Sequence, residues 1–172
     1  MQTGGTIDKD YPRMLKGYAF EIGDAAVKRV LRRVHMNFVA LYRSACRKDS
    51  TQITDSDRAS ILRLCETSST PYIVITHGTD TMIQTARYLE RKLRSLKSSQ
   101  QQSYCIVLTG AMKPEKFSDT DAHFNVGFAV AAAQCAKPGV YVAMNGRLLS
   151  AHVCERDTKT GLFVTSSPHS KL

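Results

Sequence analysis

The sequence holds no Cys-x-x-Cys pair. Its five cysteines, Cys46, Cys65, Cys105, Cys135 and Cys154, are odd in number and widely spaced. That pattern excludes a zinc knuckle and a disulfide framework, and points to buried or inert thiols in a reducing compartment. Long apolar runs are missing too. The most apolar stretch, around Val126 to Cys135, falls well short of the roughly 20 residues that span a bilayer. No basic-then-apolar leader opens the chain, so no secretory signal is expected. There is no internal repeat, and no RNA-binding or helix-turn-helix signature. This last absence matters because the net charge is +9. The basic residues are scattered over Arg29, Arg32 and Arg33, then Arg87, Arg91, Lys92, Arg94 and Lys97. Both groups fall on expected amphipathic helices and read as solvated faces, so nucleic acid is not the expected partner, although the field favours anionic ligands.

What is present suits one ordinary domain with a real core, given 172 residues at 42% hydrophobic content. Tyr72–Thr76, Tyr104–Thr109 and Val140–Met144 are short β-rich runs that read as buried strands. Phe38 to Tyr42 is a weaker fourth. Helices alternate with them. Ala26, Val27, Val30, Leu31 and Val34 share one helical face. Thr54 with Asp57 three residues on is a variant of a capping box. Met82, Ala86, Leu89 and Leu93 recur at helical spacing, and Ser118 to Asp121 caps a helix over Ala122–Cys135 that is apolar on most sides and should be buried. The expected fold is an α/β, three-layer αβα domain with a mainly parallel, Rossmann- or flavodoxin-like sheet over residues 1–163. Residues 164–172 then form an exposed tail. The turn at Gly4-Gly5-Thr6 has only Met1, Gln2 and Thr3 before it. A strand there is not expected, so either the sheet lacks its first strand or the true start lies upstream.

Parallel sheets place ligands at the C-terminal ends of their strands. Three segments fall there: Thr3–Ile7, Thr76–Thr81 and Thr109–Pro114. Each sets glycine beside hydroxyl-bearing residues. Glycine lets the backbone approach a ligand, its neighbours expose N–H donors, and a threonine hydroxyl can serve as a nucleophile. In isolation Thr79-Asp80 would do no more than cap a helix, Gly4-Gly5 would be an ordinary turn, and His77 would be structural. Co-occurrence lifts the set. Thr6, Thr79 and Asp80 are expected to converge on a small polar amide.

Five stretches, TGGTIDK (Thr3–Lys9), ITHGTDTM (Ile75–Met82), LTGAMKP (Leu108–Pro114), SDTDAHFNV (Ser118–Val126) and VAMNGRLL (Val142–Leu149), resemble the L-asparaginase family of two-threonine amidohydrolases, in its N-terminal domain. The likeness is nearest to short single-domain asparaginase-like proteins. The resemblance implies a nucleophile at Thr6, a second catalytic threonine at Thr79, and an aspartate for the substrate's α-amino group at Asp80. It places the carboxylate-binding serine at Ser50, beside Asp49, and backbone positions lining the amide pocket at Gly78 and Ala111. N–H donors near Gly5 and Thr79 would face the oxyanion. The family's lysine beside the second threonine is matched by Arg156, which cannot give up its proton; Lys159 is the nearest substitute. The family's activating tyrosine is matched by Phe20, with Tyr18 preferred over Tyr11 to take its part. The resemblance implies hydrolysis of L-asparagine or a related small amide, with no metal and no organic cofactor, and leaves a homodimer open. A second domain, which in long members lends an acidic residue to a neighbouring site, is not expected here. The rival expectation is an amino-acid-binding module without turnover.

The chain ends Ser170-Lys171-Leu172. That tripeptide at a C-terminus is a peroxisomal import signal read by a receptor. The expected address is therefore a peroxisome or glycosome, and the cytoplasm otherwise.

Overall fold

The computed structural model describes residues 1–11, 20–95 and 104–166. Ten strands and four α-helices follow one another in it. They are β1 (Gln2–Gly4), β2 (Lys9–Asp10), β3 (Glu21–Ile22), α1 (Ala26–Arg32), β4 (Ser44–Lys48), α2 (Asp55–Glu66), β5 (Tyr72–Thr76), α3 (Met82–Arg94), β6 (Cys105–Thr109), α4 (Ala122–Cys135), β7 (Gly139–Met144), β8 (Arg147–Ser150), β9 (Cys154–Arg156) and β10 (Phe163–Thr165). One six-stranded sheet runs β4-β1-β5-β6-β7-β8. It is parallel except for β8, which returns from β7 in a hairpin through Asn145-Gly146. The fold is thus the expected α/β type, and the order of its parallel strands is flavodoxin-like.

Alternation along the buried strands builds two cores. Ile73, Ile75, Ile106, Leu108, Val140 and Val142 face α2 and α3, where Ile61, Cys65, Met82, Ala86 and Leu89 meet them. On the other face, Cys105, Val107 and Ala143 pack on Ala129, Ala132 and Ala133 of α4. α1 lies beside α4 with Ala26, Val27, Val30 and Leu31 buried. α2 opens on a complete capping box, in which the Thr54 hydroxyl accepts from the Asp57 N–H and the Asp57 carboxylate accepts from the Thr54 N–H.

Several expectations give way. Gln2–Gly4 does form a strand: Gln2 pairs with Ser44 on one side and Thr76 on the other, so β1 lies inside the sheet. Its three residues are too few to carry a β pattern, and the neighbours on both edges supply the pairing instead. Phe38–Tyr42 is not a strand. Phe38, Val39 and Leu41 are exposed, and the strand is the polar run Ser44–Lys48 that follows. An edge strand needs little apolar alternation, which is why the pattern misplaced it. α4 buries Ala122, Asn125, Val126, Ala129, Ala132 and Ala133 but exposes Phe124, so it is one-sided rather than buried all round. Alanine and glycine on both faces hid that asymmetry. Cys135 at its end is exposed, while Cys65, Cys105 and Cys154 are buried. Val34 lies beyond α1 and is exposed. β10 pairs with β9 as far as Thr165. Among the described residues no helix is long and apolar enough to cross a membrane.

Candidate active site

β1 is the first strand of the sheet in chain order, with β4 on one side and β5 on the other. The chain therefore leaves β1 and β5 toward opposite faces, which opens a crevice at their C-terminal ends. The loops after β1, β4 and β5 meet there, backbone on backbone. A methyl group built on Gly5 would sit 2.3 Å from both Cα and N of Gly78. One built on Gly78 would sit 2.6 Å from Cβ and 2.7 Å from Oγ of Ser50. Only glycine permits either approach, and Gly5 also has a φ of 84°. Thr6 and Thr79 each follow one of the two touching glycines. Ser50, buried at 2% exposure, closes the third side. These contacts bring the Gly5-Thr6 and Gly78-Thr79 backbones and Ser50 together.

Neither Thr79 nor Asp80 caps α3, whose N-cap is Thr81 and carries no side-chain cap hydrogen bond. Instead the Thr81 hydroxyl donates to the Ser50 carbonyl at 2.6 Å, stitching two loops together. Thr3 does the same one layer deeper, donating to the Thr76 carbonyl at 2.9 Å.

Behind the crevice lies a buried polar wall. His77 is fully buried. Its Nδ1 lies 2.7 Å from the Gly78 carbonyl and its Nε2 lies 2.9 Å from Thr85 Oγ1. A carbonyl can only accept, so Nδ1 carries the proton and the Thr85 hydroxyl donates to Nε2. Arg58 Nε donates to that hydroxyl at 3.2 Å. The chain Arg58–Thr85–His77–Gly78 thus fixes the peptide that precedes Thr79. Burial drives the His77 pKa down to about 4, so the ring is neutral. Asp8, two residues after Thr6, is buried as well. It accepts from Gln2 Nε2 at 3.0 Å and from the Ala26 N–H at 2.7 Å, and desolvation lifts its pKa to about 6. Its own carbonyl accepts from the Gly23 N–H at 2.9 Å.

The loop after β6 is held from α4. Asn125 donates to the Gly110 carbonyl at 3.1 Å and accepts from the Asn145 N–H. The Asp121 carboxylate accepts from the Met112 and Lys113 N–H groups. Ala111, between them, is buried. Residues Asp8, Thr81, Thr85, Asp121 and Asn125 carry these contacts without having been singled out in the sequence. All but Thr85 lay in noted motifs, but only the contacts reveal their task.

The front of the crevice is charged and open. Asp49 accepts from Lys9 Nζ at 2.7 Å, and that hydrogen bond is the main reason its pKa falls below the usual carboxylate value. Asp80 accepts from Arg156 Nη1 at 2.9 Å. Arg156 is itself fixed, with Nε donating to the Gly161 carbonyl at 3.1 Å and the guanidinium over the buried Phe163 ring. Arg156 therefore engages Asp80, not the Thr79 hydroxyl. Lys159 is exposed on the β9–β10 turn, its backbone N–H bonded to Asp157. Phe20 stacks on Tyr11, ring centroids 4.4 Å apart. Tyr18 lies outside the described residues, as do Ser170, Lys171 and Leu172. Among the described residues no three His, Cys, Asp or Glu side chains cluster to hold a metal ion. A cavity of about 510 Å³ opens at the other end of the sheet, between residues 38–43 and the start of β5, away from these loops.

The sequence matches the family model described as "Asparaginase, N-terminal" over residues 1–170. It is 36% identical over 104 residues to the "Probable L-asparaginase periplasmic" of Haemophilus influenzae, covering 59% of this chain and 28% of that one. It is 37% identical over 97 residues to "L-asparaginase 2" of Escherichia coli, covering 55% of this chain and 26% of that one. The fold superimposes on the thermostable L-asparaginase of Thermococcus kodakarensis with a TM-score of 0.80 at 28% identity, covering 95% of this chain and 49% of that one. The chain thus spans about half the length of that solved relative. With the loops, the sheet order and the sequence match in agreement, the chain belongs to the asparaginase family.

Proposed function

We propose that the chain is an asparaginase-type amidohydrolase acting on L-asparagine or a related small amide through a threonine nucleophile. The observation that carries this reading is the contact of Gly5 with Gly78 and of Gly78 with Ser50, which supports Thr6, Thr79 and Ser50 sharing one crevice. In this reading the Thr6 hydroxyl attacks the amide carbonyl and ammonia leaves. Water then cleaves the acyl-enzyme ester to release the acid and restore Thr6. N–H groups near Gly5 and Thr79 stabilise the oxyanion, and Ala111 lines the amide pocket. Ser50 and Asp49 hold the substrate end. Arg156 keeps its proton throughout, so it supplies field and not proton transfer. Tyr18 is the preferred aromatic for polarising Thr6.

Ammonia release from L-asparagine and L-glutamine tests the proposal. Thr6→Ala should lower the rate by about 1000-fold or more, and Thr79→Val should lower it strongly. A rate untouched by Thr6→Ala ends the proposal. A second reading, an amino-acid-binding module without turnover, is favoured by one observation: Arg156 stands on Asp80. Turnover at an ordinary enzyme rate would exclude it.

Ser170-Lys171-Leu172 supports import into a peroxisome or glycosome through its receptor, and a tagged protein lacking Leu172 should stay in the cytoplasm. The family resemblance leaves a homodimer open, and light scattering decides it.

A further inference from the structure

We propose that Asp8 is the positioning residue of the nucleophile turn, its ionised carboxylate tying the turn that carries Thr6 to the start of α1. The proposal rests on the amidohydrolase reading above and names a residue that acts through Thr6. Thr6 opens a single 3-10 turn, Thr6–Asp8, which the Asp8 N–H closes on the Gly5 carbonyl at 3.1 Å. The same residue ties that turn to three neighbours. Its Oδ1 accepts from the Ala26 N–H, the first of α1, at 2.7 Å, where Ala25 offers no side-chain cap. Its Oδ2 accepts from Gln2 Nε2 of β1 at 3.0 Å. Its carbonyl accepts from the Gly23 N–H at 2.9 Å. Asp8 is 1% exposed, so these bonds form out of reach of bulk water.

Each carboxylate oxygen faces a donor that cannot turn round. A backbone N–H only donates. The Gln2 amide is held in one orientation, with Nε2 also donating to the Gly23 carbonyl at 2.9 Å and Oε1 accepting from Ser44 Oγ at 3.3 Å. A proton on either Asp8 oxygen therefore meets a donor where it needs an acceptor, and loosens the turn from α1 or from β1. The geometry is built for the carboxylate. Burial works against that charge and lifts the pKa to about 6, while Arg29 of α1 and the Met1 amino group favour ionisation. The other charges on the adjoining segments are paired: Lys9 with Asp49, Asp24 with Arg47, and Glu115 with Arg29 and Arg33.

The test is the pH dependence of ammonia release by the full chain, wild type against Asp8→Asn. Asparagine keeps the shape and turns a donor toward one of the two donors, so it stands in for the protonated acid. Wild-type kcat should fall by about 10- to 100-fold as pH drops through about 6, with KM nearly unchanged. Asp8→Asn should stay at the low level across the range. A wild-type kcat that is flat through that window, or an Asp8→Asn profile that parallels the wild type, overturns the proposal. So does an Asp8→Asn protein that loses stability but keeps the wild-type kcat. An NMR titration needs no turnover: the Thr6 amide resonance should shift with the midpoint of the Asp8 carboxyl in the wild type and hold still in Asp8→Asn. A Thr6 amide that ignores the Asp8 titration overturns the proposal, and the wild type alone decides this if Asp8→Asn does not fold. No ammonia from L-asparagine or L-glutamine at any pH removes the amidohydrolase reading, while the Thr6 resonance still decides whether Asp8 holds the turn.

Discussion

The rear and the front of the crevice are built on opposite principles. At the rear, His77 and Asp8 are buried, burial disfavours the charged form of each, and both are hydrogen-bonded to backbone groups. At the front, the partly exposed Asp49 and the exposed Asp80 are in ion pairs with Lys9 and Arg156. Buried polar groups are costly unless satisfied, so a satisfied set locks one geometry. Exposed pairs contribute little stability and exchange partners easily. The rear therefore fixes where Thr6 and Thr79 stand, and the front decides what they are offered. Mutations should separate the two regions by size of effect.

The largest effect belongs to the backbone contact itself. Gly5→Ala forces a methyl group to 2.3 Å from the Gly78 backbone at a φ of 84°. Neither partner is a flexible side chain, so the loss should exceed about 4 kcal/mol or abolish folding, read by chemical denaturation. Gly78→Ala is different, because its methyl meets chiefly the Ser50 side chain. Ser50→Gly in the same chain should restore most of that loss, and it should restore none of the loss from Gly5→Ala.

How much of this was legible in the sequence follows the same division. Strands β5, β6 and β7 declared themselves because they are largely apolar runs, β6 buried at every position and β5 and β7 at most of theirs. β1 and β4 did not, since one has three residues and the other is a polar edge. The front residues Asp80, Ser50 and Asp49 were marked by motif. Their pairings were not, because Lys9 lies 40 positions from Asp49, and Arg156, itself named as a site residue, lies 76 from Asp80. Tertiary proximity of that kind leaves no local trace. His77 was read as structural from its place at the end of a buried strand. Its grip on the Gly78 carbonyl needed Thr85 and Arg58, eight and nineteen residues away in opposite directions.

The rear wall also makes a prediction about pH. Burial lowers the His77 pKa from 6.5 to about 4, so between those values the unfolded chain binds the extra proton. Stability from His77 therefore rises with pH across that window and is lost as pH falls through it. Asp8 runs the other way. Its pKa is raised from 3.8 to about 6, so the folded chain holds the extra proton, and stability falls as pH rises from about 4 to 6. Each contributes roughly 3 kcal/mol, and in the wild type the two largely offset. Asp8→Asn should expose the rising His77 profile, and His77→Gln the falling Asp8 profile. Two parallel profiles from urea denaturation at stepped pH would break the assignment.

Thr85→Val removes the hydroxyl between His77 and Arg58 while keeping the shape. His77 Nε2 loses its donor and Arg58 Nε loses its acceptor, both inside the protein. The expected cost is about 1–3 kcal/mol, with Thr85→Ser recovering most of it. Activity should fall alongside stability, because the Gly78 peptide ahead of Thr79 is no longer fixed. Wild-type activity in a destabilised Thr85→Val protein would detach this relay from the site.

Lys9→Ala should produce the smallest stability change of the series. The Lys9–Asp49 pair is short at 2.7 Å, yet both side chains are partly exposed. Such a pair contributes at most about 1 kcal/mol, and salt weakens it. The loss should shrink further between low and high ionic strength, whereas the cost of Thr85→Val should not. The Asp49 pKa should return toward its ordinary value, since the Lys9 hydrogen bond is the chief cause of its depression. A stability loss as large as that of Thr85→Val, or one indifferent to salt, would mean that the front is part of the scaffold after all.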